Sequence, residues 1–333
     1  MRSIRLIRAA GALTLAGTLT LSACGGQQAQ NQAGAGADES SCEAGEGRIN
    51  IATGNSTGVY FVVGGGLAQL INDETDLQST SAETGASVQN IQQLVAGDYD
   101  VAFSLADTAA DAVNGEADFD GPQDVSTLGR IYSNYTQVVV RADAGIDSIE
   151  DFEGKAISTG SPQSGTEVIA NRMIEASGLE VSDVRAQRLD LTKTVDGMKD
   201  GSLDGLVWSG GLPTPAITDL FTSMGDDIEF LDVTPLLGDL QEVNEVYEES
   251  SIPADTYDTA EDIPTIAVPN LLMVNNDAPE NLTCALTTLV LDGRETLTQV
   301  HPAAEEIDPG LASETGPIPL HPGSERALSE YGG

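Results

Sequence analysis

Three turns rich in glycine, serine and threonine each precede a predicted helix, at residues 54–58, 84–87 and 160–166. The first turn of a helix carries unpaired backbone N–H groups and about half a positive charge, so it can receive a carboxylate or another small anion. Simple helix capping is the alternative for any single turn, and Ser164 with Glu167 fits a capping box. Because the turn recurs, we predict an anion-binding cleft.

Two aromatic residues stand near these turns in a chain that is only 4% aromatic. Tyr60 lies in the first turn of the helix that follows residues 54–58. Trp208 is the only tryptophan and ends a predicted strand. Either ring could line a ligand pocket, and ordinary core packing is the alternative for both.

Strands and helices alternate along the chain, which is typical of an α/β fold with doubly wound parallel sheets. We expect two lobes flanked by helices, with a first lobe over residues 48–138 plus 270–333 and a second over residues 139–269. The extended apolar runs at 137–143 and 265–274 are candidates for hinge strands that cross between the lobes. In such folds, ligands bind beyond the carboxyl ends of the strands, where the three turns lie.

The charge balance excludes some partners. There are 53 acidic and 14 basic residues, and the formal net charge is −39. Such a surface repels phosphate backbones, so we expect no nucleic acid to bind. Hydrophobic residues make up 40% of the chain, enough for a packed core. The acidity is typical of proteins that stay soluble in brine, although acidic proteomes also occur elsewhere.

The first 24 residues indicate export. Arg2, Arg5 and Arg8 precede an apolar stretch that is too short to span a membrane, as in a secretory signal peptide. The ending Leu21-Ser22-Ala23-Cys24 resembles a bacterial lipobox, so we expect a signal over residues 1–23 and a lipid on Cys24. An ordinary signal peptide with a chance cysteine is the alternative.

Residues 24–47 are rich in glycine, alanine and glutamine and predict a flexible tether. Cys42 and Cys284 would then lie in an oxidising compartment. They form a disulfide in one interpretation and remain two free thiols in the other.

The sequence offers little for catalysis. Both histidines are followed by proline, as His301-Pro302 and His321-Pro322, and neither has a neighbouring histidine or cysteine that could complete a metal site. The stretch Gly160-Ser161-Pro162-Gln163-Ser164-Gly165 is not the G-x-S-x-G nucleophile elbow, and no S-x-x-K or C-x-x-C motif occurs. We therefore expect no catalytic residue, no metal and no cofactor. A surface hydrolase or transferase is the less favoured alternative.

Ordered blocks from Arg48 to Tyr331 resemble the TAXI family, the extracytoplasmic solute receptors associated with TRAP transporters. The blocks are Ile51-Ala52-Thr53-Gly54 with Thr57-Gly58-Val59-Tyr60, Thr84-Gly85-Ala86-Ser87-Val88-Gln89-Asn90, Val101-Ala102-Phe103 with Asp107, Val139-Val140-Arg141-Ala142-Asp143, Ser164-Gly165-Thr166, Ile252-Pro253-Ala254-Asp255-Thr256-Tyr257 and Ile318-Pro319-Leu320-His321-Pro322-Gly323. Each block alone is a weak signal, and their common order is a strong one.

The resemblance implies a type II periplasmic binding protein that closes on a small solute, either a glutamate- or glutamine-like amino acid or a C4/C5 dicarboxylate. It implies that the protein delivers this solute to a TRAP membrane permease. The protein would be a monomer, anchored by its lipid to the outer side of the cell membrane. The contacts it implies are Asn55, Ser56, Thr57, Gly58, Tyr60, Ser87, Val88, Ser104, Asp107, Ser164, Gly165, Thr166 and Trp208.

Two segments depart from the family pattern. Asn55-Ser56 stands where glycines or a hydroxyl residue are usual, and Ser104-Leu105-Ala106-Asp107 replaces a more usual Val-Gln-Ser/Thr-Asp. A binding protein that serves an ATP-driven importer or a sensor is the alternative to a TRAP receptor.

Overall fold

The computed structural model describes residues 41–331, so the expected signal peptide and Cys24 lie outside the described residues. The strands are β1 Gly47–Ala52, β2 Leu77–Ala82, β3 Val101–Leu105, β4 Val125–Arg141, β5 Ala156–Ser158, β6 Arg185–Gln187, β7 Gly205–Gly210, β8 Ile228–Phe230, β9 Glu248–Ile252 and β10 Ile263–Asn275. The helices are α1 Val59–Glu74, α2 Ser87–Val95, α3 Ala106–Asn114, α4 Gly165–Ala176, α5 Leu191–Asp200, α6 Pro215–Met224, α7 Leu237–Val243, α8 Ala254–Tyr257, α9 Glu280–Asp292, α10 Arg294–Val300 and α11 Pro322–Ser329.

These strands form one mixed sheet in the order β2-β1-β3-β10-β4-β7-β5-β6, with β8 beside β4 and β9 beside β10. Strands β1, β2 and β3 pair in parallel, and so do β5, β6 and β7. We call β1–β3 with α1 and α2 the first lobe, and β5–β7 with α4, α5 and α6 the second lobe. The predicted α/β two-lobed fold is confirmed, and parallel pairing holds within each lobe.

The centre of the sheet differs from the parallel expectation. The two long strands β4 and β10 pair antiparallel with each other, β10 pairs antiparallel with β3, and β4 pairs antiparallel with β7. Both strands therefore connect the lobes, at the positions where crossing strands are predicted. The residue ranges proposed for the lobes stay a prediction.

Local sequence explains where the helices that face the centre begin. In β1, the alternating Ile49 and Ile51 are fully buried while Arg48 and Asn50 are exposed, and a glycine-containing turn then starts α1. Helix α4 begins after Ser164, whose hydroxyl accepts a hydrogen bond from the Glu167 N–H at 3.1 Å. The capping interpretation of Ser164 is therefore correct, and it occupies only one N–H of that helix.

The segment before β1 does not behave as the end of a free tether. Cys42 forms a disulfide with Cys284 of α9, with their Cα atoms 5.0 Å apart. The Asn281 amide donates to the Glu43 carbonyl at 2.7 Å, and an Arg326 N–H donates to the Ser41 carbonyl at 3.1 Å. Residues 41–46 thus lie against α9 and α11. Among the described residues, no helix is both long enough and apolar enough to cross a bilayer.

Candidate ligand-binding site

Three helices from both lobes begin at the wall of one cavity. Helices α1 and α2 belong to the first lobe and α4 to the second. The cavity lies between their first turns, the ends of β3 and β7, and the middle of β4. Its lining residues are Gly54, Asn55, Gly58, Val59, Tyr60, Gly85, Ala86, Ser87, Leu105, Asn134, Ser161, Ser164, Gly165, Thr166, Trp208, Ser209 and Gly210.

Most of the residues predicted to contact a ligand line this cavity. They are Asn55, Gly58, Tyr60, Ser87, Ser164, Gly165, Thr166 and Trp208. All three glycine- and serine-rich turns therefore meet at one place, although they are far apart in the sequence.

Five predicted contacts lie elsewhere. Ser56 donates its hydroxyl to Glu83 at 2.8 Å on the surface of the first lobe, and the hydroxyl of the half-buried Thr57 lies 3.5 Å from that of Thr192. Val88 packs in the hydrophobic core, on the other side of α2 from the cavity-lining Ser87. The fully buried Ser104 donates its hydroxyl to the Leu105 carbonyl at 3.0 Å. Asp107 is in an ion cluster with Arg172, described below.

Sequence reasoning missed several lining residues, of which Asn134, Ser161 and Ser209 are polar. Asn134 lies in the first part of β4, which was not predicted as a strand. A signal was present nonetheless, since Asn270 interrupts the apolar run of β10 and a buried amide needs a partner. That partner is Asn134.

A chain of hydrogen bonds crosses the floor of the cavity. The Tyr60 hydroxyl donates to the Asn270 side-chain carbonyl, and the Asn270 amide donates to that of Asn134 at 2.8 Å. The Asn134 amide donates to the Ser209 carbonyl at 3.2 Å. Burial raises the pKa of Tyr60 far above its usual value because the phenolate would lose its hydration. Tyr60 therefore remains a neutral hydroxyl that fixes the network joining both lobes.

The wall supplies hydrogen-bond donors and no formal charge. Within the described chain, no acidic or basic side chain lines the cavity. The N-cap residues Gly58 of α1 and Ala86 of α2 make no side-chain capping bond. The backbone N–H groups of Val59, Ser87 and Gly165 have no hydrogen-bond partner among the described residues. The unpaired N–H groups and the three helix dipoles together favour a negatively charged ligand.

Residues 51–332 match the NMT1-like family. The chain belongs to the NMT1-like family.

Solved structures that share this NMT1-like chain's architecture have low sequence identity to it. A protein of Bordetella bronchiseptica RB50 is 18% identical, covers 86% of this chain and 98% of its own, and has a TM-score of 0.54. PhnD1 from Prochlorococcus marinus (MIT 9301), solved in complex with methylphosphonate, is 9% identical, covers 86% and 97%, and has a TM-score of 0.53. These likenesses show the fold, that of two-lobed periplasmic binding proteins.

The lobes of the NMT1-like chain are closed on the cavity and bonded to each other directly. The Asn55 amide donates to the Ser161 hydroxyl at 3.2 Å, and its carbonyl accepts from the Leu191 N–H at 2.9 Å. The Gln89 N–H donates to the Gln163 carbonyl at 3.1 Å. Asn55 thus reaches from the first lobe to two elements of the second, which glycine at this position could not do.

We expect Asn55→Ala to weaken the binding of every solute by the same factor. The closed form loses two hydrogen bonds, each worth about 0.5–1.5 kcal/mol, so the dissociation constant should rise about 5- to 150-fold. Calorimetry measures it. Ser56→Ala is the matched control, because its hydroxyl bonds to Glu83 within the first lobe. An unchanged constant for Asn55→Ala, or a change that differs between solutes, would contradict this role in closure.

A buried ion cluster joins α3 to the second lobe. Arg172 of α4 pairs with Asp111 at 2.7 Å and with Asp107 at 3.2 Å, and the Tyr247 hydroxyl donates to Asp107 at 2.7 Å. Burial raises the pKa of Asp111 to about 6, although the charge of Arg172 opposes the shift. Two carboxylates share one guanidinium here, which explains why Asp107 serves the structure rather than the cavity.

Asp111→Asn should alter the pH dependence of stability. The pKa of Asp111 is about 6 in the folded protein, above the ordinary value of 3.8, so the folded state binds this proton more tightly. Its contribution to stability is therefore lost as the pH rises from about 4 to about 6. Relative to wild type, the variant should gain up to about 3 kcal/mol across that window.

Urea unfolding at several pH values measures this difference. Asp143→Asn, at an exposed carboxylate paired with Arg141, is the control for replacing a carboxylate by an amide. Parallel curves for Asp111→Asn and wild type would show that the cluster does not titrate in this range.

Proposed function

We propose that this chain is the extracytoplasmic solute receptor of a TRAP-type secondary transporter and captures a small carboxylate solute between its lobes. The observation that carries the proposal is the meeting of three helix N-termini, two from one lobe and one from the other, at a cavity without acidic or basic side chains. A carboxylate bound there would accept hydrogen bonds from both lobes and so stabilise the closed form.

A binding role agrees with the surroundings of Ser164, one of the four serines that line the cavity. Its hydroxyl caps α4, and neither described histidine lines the cavity. His301 instead bonds through Nε2 to the Pro213 carbonyl at 3.0 Å. Because no general base lies beside Ser164 in the cavity wall, the proposal includes no catalytic step.

Native mass spectrometry of the purified protein, followed by calorimetry, tests the solute class. Glutamate, glutamine, 2-oxoglutarate and succinate cover the classes that the TAXI resemblance implies, and a neutral sugar and a quaternary ammonium ion are the contrasting probes. Binding of a carboxylate supports the proposal. If the sugar or the cation binds and no acid does, the proposal is wrong.

The genes that neighbour this one test which class of transporter the receptor serves. An adjacent reading frame for a large polytopic permease supports the TRAP assignment. A neighbouring gene for a cytoplasmic ATPase favours an ATP-driven importer instead.

We also propose that acyl chains on Cys24 hold the receptor at the membrane. The expected effect of Cys24→Ser is release of the protein into the soluble fraction, since its acidic surface has no affinity of its own for an anionic bilayer. Fractionation of cells that express the wild type or the Cys24→Ser variant measures the share of the protein in the membrane fraction. Equal membrane retention of the variant would contradict a lipid anchor.

A further inference from the structure

The cavity wall can pair with the carboxylate of an amino acid but not with its ammonium group. The wall offers backbone N–H groups to an anion, and among the described residues that line it there is no aspartate or glutamate that could pair with an ammonium group. The nearby carboxylate of Asp107 is already shared by Arg172 and Tyr247. A buried ammonium without a partner is strongly disfavoured, and three positive helix ends repel it further.

The amount of negative charge on a solute that the cavity wall can balance is also limited. Each helix N-terminus contributes about half a positive charge, so α1, α2 and α4 together supply about 1.5. One carboxylate leaves a positive excess of about half a charge. A second would turn this into a negative excess of about the same size, which no cationic side chain among the described lining residues could offset, inside a protein whose formal net charge is −39.

Ser209 indicates independently that an oxygen-bearing ligand belongs here. It lines the cavity and is 5% exposed, and its hydroxyl has no hydrogen-bond partner in the described chain. Its backbone is already used, since its N–H donates to the Thr166 hydroxyl at 3.2 Å and its carbonyl accepts from Asn134. Other buried hydroxyls are also unpaired in the described chain, those of Ser79, Ser126, Tyr132 and Thr136, but Ser209 is the one of these that lines the cavity, where a ligand oxygen could complete it.

The rest of the wall is apolar and close. Val59, Ala86, Leu105 and the Trp208 ring line it, beside the polar groups already named. Such surfaces suit the uncharged remainder of a solute better than a second charged group.

We infer that the solute is a small monocarboxylate with an uncharged remainder that carries at most a hydroxyl or keto oxygen, and not an amino acid or a dicarboxylate. This inference rests on the proposed function and narrows its solute class.

Calorimetry on the purified protein with matched pairs tests it. Lactate and pyruvate against alanine differ in the ammonium group, and butyrate against succinate differs in the second carboxylate. We expect alanine to bind at least 100-fold more weakly than lactate or pyruvate, and succinate at least tenfold more weakly than butyrate. Ser209→Ala should weaken the best acid about tenfold without changing the melting temperature, because the hydroxyl has no partner in the protein.

The outcomes separate the two proposals. If alanine or glutamate binds as tightly as its oxo-acid counterpart, or succinate as tightly as butyrate, the monocarboxylate inference is overturned while a carboxylate receptor stands. If no acid binds, both fail. If the Ser209→Ala variant keeps the wild-type affinity, Ser209 does not contact the solute, and this result counts against the inference.

Discussion

Replacing Gly165 by alanine is expected to reduce solute affinity about 5- to 150-fold while the protein stays folded. A Cβ atom at Gly165 would lie 2.5 Å from Leu105 Cδ1 and 2.7 Å from Ser87 Oγ, both across the cleft in the first lobe. Neither neighbour can easily retreat, because Leu105 is 1% exposed and its N–H holds the Ser87 hydroxyl at 3.1 Å. Overpacking of this kind costs about 1–3 kcal/mol.

The strain falls on closure because the clash lies between the lobes and not inside either one. The variant relieves it by opening, and only a solute that binds the closed form better can reverse this. Calorimetry gives the affinity, and small-angle scattering should show a larger radius of gyration for the variant without solute.

Gly238→Ala is the matched control for Gly165→Ala. It places the same methyl group in α7, where no heavy atom lies within 4 Å, so its affinity should equal that of wild type. Wild-type affinity for Gly165→Ala would show that the lobes bind solute in a more open form than this one. A large fall in melting temperature would place the strain within a lobe.

Removing the disulfide with Cys42→Ala and Cys284→Ala should lower the free energy of unfolding by about 2–5 kcal/mol. The two cysteines are 242 residues apart, so the bond closes a very long loop and restricts the unfolded chain strongly. Alanine is the better replacement at the fully buried Cys284, since serine would bury a hydroxyl there.

Guanidinium unfolding of the oxidised protein and the double variant measures this loss. A reductant should destabilise the wild-type protein to the level of the variant and leave the variant unchanged. Solute affinity should not move, because neither cysteine lines the cavity. A difference below about 0.5 kcal/mol would show that contacts of residues 41–46, rather than the disulfide, hold this segment.

The local parts of the fold were predictable because they are encoded by short-range patterns. Strand β3 is a short run in which Ser104 is the one polar residue, and α1 follows a turn with glycine at both ends, so local sequence predicts both elements. The first part of β4 was not, because residues such as Ser133 and Asn134 read as a polar loop. They are buried by pairing with β10, more than 130 residues later in the chain.

The same distinction explains the candidate site. Gly165 and Ser87 belong to helix-opening turns that the sequence shows directly, and they line the cavity. Ser209 could not be predicted, because its place depends on the register of β7 against β4. Asp107 was misplaced for a related reason. It sits at a helix start, as a ligand contact would, but its carboxylate pairs with Arg172, and only the packing of α3 on α4 reveals that.

The bond between Cys42 and Cys284 also determines how the folded chain bears a mechanical load. Tension applied at the N-terminal segment reaches Cys42 before it reaches β1, and the disulfide transfers it into the middle of α9. Strand β1 pairs with both β2 and β3 and leads into the turn before α1. Because the disulfide carries the force, the force does not separate β1 from the sheet. A pull on the N-terminus therefore leaves the geometry of the turns that line the cavity unstrained.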